Sequence, residues 1–462
     1  MERGEIQNSK WVMLISIPIG LMFNLSFEPF GLWWCCVLAI AVFPLLESLS
    51  SSKRFMFGWL SGVFVQAFGY YWIFFTIRDF GGLSPFLSVI GSIGFWLYQG
   101  LDLGLWFLFA PLLFKKAPSW LRLVLQAGLL ALIQSYLFPY VFPWLVGAVL
   151  TNSIAAQSAW IWKSVGLTFW LMLAGLSLGQ FFLQRKKPQK RTLGLGLIAI
   201  SGLALFGPAF VVPEDAAPGR SIKVGCVQPN IIPWAKREPE NMADLLKRHA
   251  EPTRLFGRGQ VDLVVWPETA LPLVLKNYPS YIEFLQALVE DQQIGLLFGC
   301  LGSESGRLTN EVWLLAPDTA PQIYQKEKLV MFSESLPWPF GWASYFVKGI
   351  GHFRKGQENR PFLFRGIKIQ PLICYEAIFP HFVGQFDADL YINVTNDAWF
   401  GKTKASRLHL QHLQMRPIEN SAPLVRCANS GISCWVDKKG AIHDSTPIYE
   451  AAAPTFNINL AN

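Results

Sequence analysis

Apolar residues dominate the first part of the chain in seven long runs, at about 11–27, 31–47, 55–77, 86–114, 120–150, 154–183 and 192–213. Each is long enough to cross a hydrocarbon layer of about 30 Å. The pattern predicts an α-helical polytopic membrane bundle of about seven helices over 1–213. The fourth, fifth and sixth runs exceed one crossing, an excess that tilt or interfacial turns absorb. Residues 214–220 are polar and Pro/Gly-bearing and read as a linker. Over 221–462 the period changes, and short β-like runs alternate with helical ones. Strands are expected at 222–227, 261–266, 295–300, 311–316, 367–374, 389–394, 424–428, 432–436 and 455–460, with helices at 238–250, 280–291 and 405–420. Many of these strands are continuously apolar, so their sheets should be covered on both faces.

Composition sharpens this division. The 462 residues are 52% hydrophobic and 15% charged, yet all six histidines follow residue 248. The net charge of +8 does not point to nucleic acid, because the basic residues flank apolar runs instead of sharing one face. Lys53-Arg54, Lys115-Lys116 with Arg122, and Arg185-Lys186-Lys187 with Lys190-Arg191 fall in alternate loops. The positive-inside rule then puts the N-terminus in the cytoplasm, and an odd number of spans puts everything after 213 outside. Seven cysteines with no CxxC pair argue against a zinc site or a disulfide framework. Asp102 and Lys163 lie within apolar runs and are candidates for a functional or helix-breaking role.

Three segments of the second half carry chemistry. Val265-Trp266-Pro267-Glu268, Tyr324-Gln325-Lys326 and Ile373-Cys374-Tyr375-Glu376 each end an apolar, strand-like run. Taken alone, each has a bland reading: a turn glutamate, a solvated lysine, a core cysteine. Together they supply what a thiol nucleophile needs. Glu268 would take the thiol proton and return it to a leaving group. Lys326 would stabilise an oxyanion, with a backbone N–H near Tyr375 as second donor. A helix starting at Tyr375 would favour the thiolate.

These three motifs resemble those of the nitrilase superfamily. With Asn393-Val394-Thr395-Asn396-Asp397-Ala398-Trp399-Phe400-Gly401 and the apolar first half, the chain resembles the apolipoprotein N-acyltransferase family, its membrane-bound branch. The resemblance implies an α/β nitrilase-type α-β-β-α sandwich after the bundle, and Glu268, Lys326 and Cys374 as base, oxyanion stabiliser and acyl-accepting nucleophile. It implies supporting roles for Glu334 near the lysine, for Tyr375 and Glu376 lining the site, and for Trp234 on a substrate-facing loop. It further implies acyl transfer from a phospholipid, phosphatidylethanolamine, to the N-terminus of a diacylglyceryl apolipoprotein. The enzyme would be a monomer among membrane lipids, on the periplasmic side of a bacterial inner membrane, with no cofactor, metal or nucleic acid. Gln134, Lys328, Met331, Ser333 and Pro417 depart from the family pattern, and Pro417 should kink its helix. The chain ends soon after its last strand, without the family's common C-terminal span. The aromatic stretch from Pro337 through Val347 is a candidate lid. Two rivals remain: a membrane-tethered amidase acting on a soluble carbon–nitrogen substrate, and a non-enzymatic lipid-binding or transport scaffold.

Overall fold

The computed structural model describes residues 11–184, 187–211, 219–337, 341, 353–357 and 360–460. The chain divides into two compact units, 1–212 and 213–462. Most of the expected lid, 338–340 and 342–347, lies outside the described residues.

In the first unit every apolar run contains helix. Among the described residues, four helical stretches, Pro85–Leu113, Ser119–Leu137, Ile154–Leu183 and Pro188–Phe210, are long and apolar enough to cross a membrane. Ser51–Gly69 and Ile73–Phe80 together make a fifth, bent by 66°. The first two runs give only the shorter apolar helices Ser16–Ser26 and Trp34–Leu46. The run expected at 120–150 is corrected at its end: helix stops at Leu137, and residues 138–145 are irregular. Pro139 and Pro143 explain the stop, since proline lacks the N–H that a helix needs. Irregular backbone in an apolar unit must find polar partners. Gln99 supplies them, accepting from the Val141 and Phe142 N–H groups through Oε1 at 2.8 and 3.1 Å. Asp102 accepts from Tyr140 Oη at 2.6 Å and Trp144 Nε1 at 3.1 Å, so its carboxylate anchors this segment. Lys163 sits at a break inside the helix Ala159–Leu183, with φ 52° and ψ 176°.

The second unit is built from two sheets. The first contains β1 (Arg220–Cys226), β2 (Leu263–Val265), β3 (Leu271–Val274), β4 (Gly295–Glu304), β5 (Arg307–Leu315), β6 (Gln322–Gln325) and, at its far edge, β13 (Thr455–Leu460), in the order 13-1-2-4-5-6 with β3 against β4. The second runs β12 (Ile442–His443), β11 (Cys434–Val436), β10 (Leu424–Ala428), β9 (Leu390–Thr395), β8 (Ile367–Ile373) and β7 (Phe362–Phe364). Strands β1, β2 and β4 are parallel, as are β8, β9 and β10, so the C-terminal ends of each group share one edge. Inward residues of both sheets, among them Val224, Val265, Ile373, Ile392 and Val425, form one buried core. Helices α1 (Met242–Leu255) and α2 (Pro279–Gln292) cover the outer face of the first sheet. Helix α3 (Ala405–Asn420) covers the second. The layers are therefore α-β-β-α.

Several boundaries move. Strands β3, β7 and β12 were not expected, and β6 was expected only as the strand-like run before Lys326; each is short and gains its hydrogen bonds from a longer neighbour. Helix α1 starts at Met242 instead of 238, because Pro239 belongs to a separate short turn. Helix α3 runs through Pro417 to Asn420 without ending there.

Candidate active site

The parallel strands place three chemical groups past their C-terminal ends. Glu268 follows β2, Lys326 follows β6 and Cys374 follows β8, and all three converge. The Lys326 ammonium is 3.3 Å from Glu268 Oε1 and 2.8 Å from Glu334 Oε1. Cys374 is close enough for both the Glu268 and Lys326 charges to act on its thiol.

Glu268 is held at every oxygen. Oε1 accepts from Asn310 Nδ2 at 2.8 Å and from Lys326, while Oε2 accepts from the Asn396 N–H at 3.1 Å. The loop carrying it packs directly on β4, where any Cβ at Gly299 would strike the Glu268–Thr269 backbone. Behind the loop, buried Lys236 donates to the carbonyls of Glu268 and Thr269 at 3.3 and 3.0 Å. Burial pushes the Lys236 ammonium down to about 7, against the opposing pull of Glu268.

Burial alone would lower the Lys326 ammonium too. The surrounding Glu334, Glu268 and Cys374 outweigh it and hold Lys326 well above the usual lysine range, so it is a permanent cation. Glu334 has its other oxygen on the Val330 N–H at 2.9 Å, which closes the lysine loop on itself.

Cys374 adopts a left-handed backbone, φ 52°, at the turn between β8 and a five-residue 3-10 helix, Cys374–Ile378. This corrects the expected helix-dipole assistance, because one short 3-10 turn carries little dipole. Burial and the nearby Glu268 push the thiol up, while Lys326 pulls it down without prevailing. The resting sulfur is a thiol next to a base, not a preformed thiolate.

Glu376, expected to line the site, is instead wholly buried. Its Oε1 accepts from the Glu327 and Lys328 N–H groups at 2.7 and 3.1 Å. Its Oε2 accepts from the Ile373 N–H at 2.8 Å and Tyr324 Oη at 2.9 Å. Burial raises this carboxyl to about 7 despite those donors. Glu376 is thus a clamp between the lysine loop and the cysteine turn. Tyr375 is buried edge-on against Phe379, with ring centroids 4.8 Å apart. Trp234 lies on the short helix Pro233–Arg237 and is 55% exposed. That helix also carries Lys236, which ties Trp234 to the Glu268 loop.

Asn310, Asn396 and Lys236 were not singled out by sequence. The signal for Asn310 was available: Thr309-Asn310-Glu311 is a polar triplet directly before the apolar run Val312–Leu315, and the structure buries all three. Lys236 and Asn396 had none beyond their nearness to recognised motifs.

A Glu-Lys-Cys cluster with buried Glu268 and Lys326 and a partly exposed Cys374, on an α-β-β-α sandwich attached to an apolar multi-helix unit, defines a membrane-associated protein of the carbon–nitrogen hydrolase class. The carbon–nitrogen hydrolase family model matches residues 223–450, and the model of the apolipoprotein N-acyltransferase N-terminal domain matches 19–177. The chain is 29% identical to the apolipoprotein N-acyltransferase of Pseudomonas putida, over 95% of this chain and 89% of that one. It is 29% identical to that of Nitrosomonas europaea, over 96% and 90%. The second unit is also similar to a solved CN-hydrolase superfamily protein from Xanthomonas campestris, with 19% identity, a TM-score of 0.40, and coverage of 52% of this chain and 91% of that one. The chain belongs to the apolipoprotein N-acyltransferase family.

Proposed function

We propose that the protein is an acyltransferase that moves a fatty acyl chain from a phospholipid, through a Cys374 thioester, to the free α-amino group of an S-diacylglyceryl cysteine at a lipoprotein N-terminus. The observation that carries this reading is the Glu268–Lys326–Cys374 cluster on a chain whose other half matches the family's own N-terminal domain.

In the first half-reaction Glu268 takes the thiol proton as sulfur attacks the ester carbonyl carbon. Because burial and Glu268 raise the thiol pKa, proton removal accompanies the attack and does not precede it. Negative charge developing on the carbonyl oxygen is met by Lys326, whose cation is already fixed by Glu334 and Glu268. The carbon–oxygen bond breaks, the departing alkoxide takes the proton from Glu268, and a lysophospholipid leaves. In the second half the amine attacks the thioester carbonyl and gives its proton to Glu268. The carbon–sulfur bond breaks, and the thiolate recovers that proton.

Glu334, Tyr375 and Glu376 support these groups, and exposed Trp234 meets the acyl donor. Phosphatidylethanolamine is the donor, the enzyme acts as a monomer in a bacterial inner membrane, and the catalytic unit faces the periplasm. The alternation of basic loops supports this orientation. To test the reading, the purified full chain is incubated with a phospholipid bearing a tagged sn-1 chain. A hydroxylamine-labile adduct on the Cys374 peptide is expected. Its absence, under conditions where another family member is acylated, would overturn the proposal. Release of free acid to water in preference to amine transfer would favour an amidase instead.

A further inference from the structure

Beneath the nucleophile lies a polar cluster that the acyl-transfer steps above do not use. The carbonyl oxygen of Cys374 accepts two side-chain hydrogen bonds, from Asn393 Nδ2 at 3.0 Å and His409 Nε2 at 3.3 Å. Both donors are themselves held. Arg426 Nη1 donates to Asn393 Oδ1 at 2.8 Å, and its Nη2 reaches His409 Nδ1 at 3.1 Å and Asp397 Oδ2 at 2.7 Å. Thr395 Oγ1 donates to Asp397 Oδ1 at 3.0 Å. Asn393, Asp397 and Arg426 are wholly buried, and His409 is nearly so.

A carbonyl only accepts, so His409 Nε2 carries a proton toward Cys374. Nδ1 lies between a donor, Arg426 Nη2 at 3.1 Å, and an acceptor, Asp397 Oδ1 at 3.3 Å. Burial and the adjacent Arg426 lower the imidazolium, against the opposing pull of Asp397. Asp397 would be raised by burial alone; Arg426 and His409 reverse that and hold it ionised, opposite the guanidinium. Although an aspartate, a histidine and a cysteine lie in sequence here, the imidazole bonds the cysteine carbonyl and not its sulfur. It is no base for the thiol.

Its effect comes through the peptide plane. The Cys374–Tyr375 bond is trans, so the carbonyl of Cys374 and the N–H of Tyr375 point in opposite directions. Two buried donors pulling the carbonyl to one side fix the N–H on the other. We infer that Asn393 and His409, braced by Arg426 and Asp397, are positioning residues that aim the Tyr375 N–H at the acyl oxyanion opposite Lys326. The inference rests on the thioester reading above and adds a device to it. The left-handed backbone of Cys374 gives the device its purpose, because a strained turn relaxes unless its surroundings fix it.

The test uses the full chain in detergent and a phospholipid whose acyl carbonyl carries carbon-13. Three variants are compared: His409→Ala, His409→Leu, which keeps volume without a donor, and His409→Gln, which restores an N–H. In the wild type the labelled thioester carbonyl should stretch at a lowered frequency, as a polarised carbonyl does. In the Ala and Leu variants the stretch moves up, and acylation slows about tenfold, less than the hundredfold or more typical of deleting an oxyanion donor outright. The Gln variant returns toward the wild type in both. A stretch in the Ala and Leu variants that coincides with the wild type, whatever their rate or melting temperature, overturns the inference. A Gln variant indistinguishable from Leu does so as well. Failure of the wild type to form any thioester would instead remove the acyl-enzyme reading on which both stand.

Discussion

At the scale of single residues, the site solves a charge problem. Two carboxylates, Glu268 and Glu334, share the one ammonium of Lys326, and Asn310 donates to both. The pair of acids makes the lysine a fixed cation, and the lysine lets the acids lie close together. Proton transfer is then left to Glu268 and the thiol. Glu268→Gln keeps the shape but cannot take a proton, so thioester formation should fall by about a hundredfold or more; mass spectrometry of the Cys374 peptide after a timed pulse of lipid measures it. Lys236 gives a second prediction, this one in pH. Its ammonium lies lower in the folded chain, at about 7, than in the unfolded one, because burial penalises the charge. Below that value both states hold the proton, and the full cost of the buried charge is present. Between about 7 and about 10.4 the unfolded chain binds more protons than the folded one, so this group's contribution to stability improves as pH rises. The apparent melting temperature of the wild type should therefore gain on that of Lys236→Met across this window. Two parallel curves would refute the assignment.

At the scale of elements, the site is an assembly of strand ends, and Glu376 joins two of them. It collects N–H groups from the lysine loop and the cysteine turn on one carboxylate, with Tyr324 of β6 as a further donor. Replacing it by glutamine turns one acceptor oxygen into an amide that faces donors. Glu376→Gln should cost about 2 kcal/mol or more of stability. It should also slow acylation more than it weakens lipid binding, since a small displacement of Lys326 from Cys374 misaligns the reacting atoms. Single-turnover rates against lipid concentration separate the two effects. This element-level view also explains what the sequence disclosed. Glu268, Lys326 and Cys374 were legible because each ends an apolar run, and parallel strands carry such ends to one edge. That the sheets are covered on both faces was legible from strands apolar on both faces; the four-layer order came from the family resemblance. Tertiary contacts decided the rest. Nothing local marks Lys236 as the group that caps the Glu268 carbonyl. His409 lies on a helix buried on nearly all sides, with polar residues on every face, so no periodicity separates it from Gln411 or His412. Glu376 was noticed for its motif, but its clamping contacts were not legible, because two of its partners come from a loop about fifty residues earlier. The end of the fifth apolar run was misread for another reason: hydropathy does not distinguish a helix from a buried irregular segment satisfied by Gln99 and Asp102.

At the scale of the whole molecule, the remaining question is which side of the membrane the catalytic unit faces. The helices turn it into a question of parity. Among the described residues four stretches are long enough to cross, and the bent pair Ser51–Gly69 with Ile73–Phe80 adds one more if it crosses as a unit. As a hairpin, the short helices Ser16–Ser26 and Trp34–Leu46 would cross together or fold back together. Both cases leave an odd number, seven or five, so they do not change the side on which residue 219 emerges. The bent pair alone decides it. If it crosses, a cytoplasmic N-terminus leaves Lys115-Lys116 inside and the catalytic unit outside, as the basic loops favour. If it does not, the parity reverses, and the site has no access to an exported lipoprotein terminus. Single cysteines at two exposed positions distinguish the cases: Lys116→Cys in the inner loop and Ser305→Cys at the β4–β5 turn. The native cysteines are buried apart from Cys374, which Cys374→Ala removes from the background. In intact cells with an outer envelope opened to small reagents, an impermeant maleimide should label Ser305→Cys promptly. Lys116→Cys should react only after the inner membrane is breached. The opposite pattern would put the thiol, the base and the lysine on the wrong side of the bilayer for their substrate, however well they are arranged.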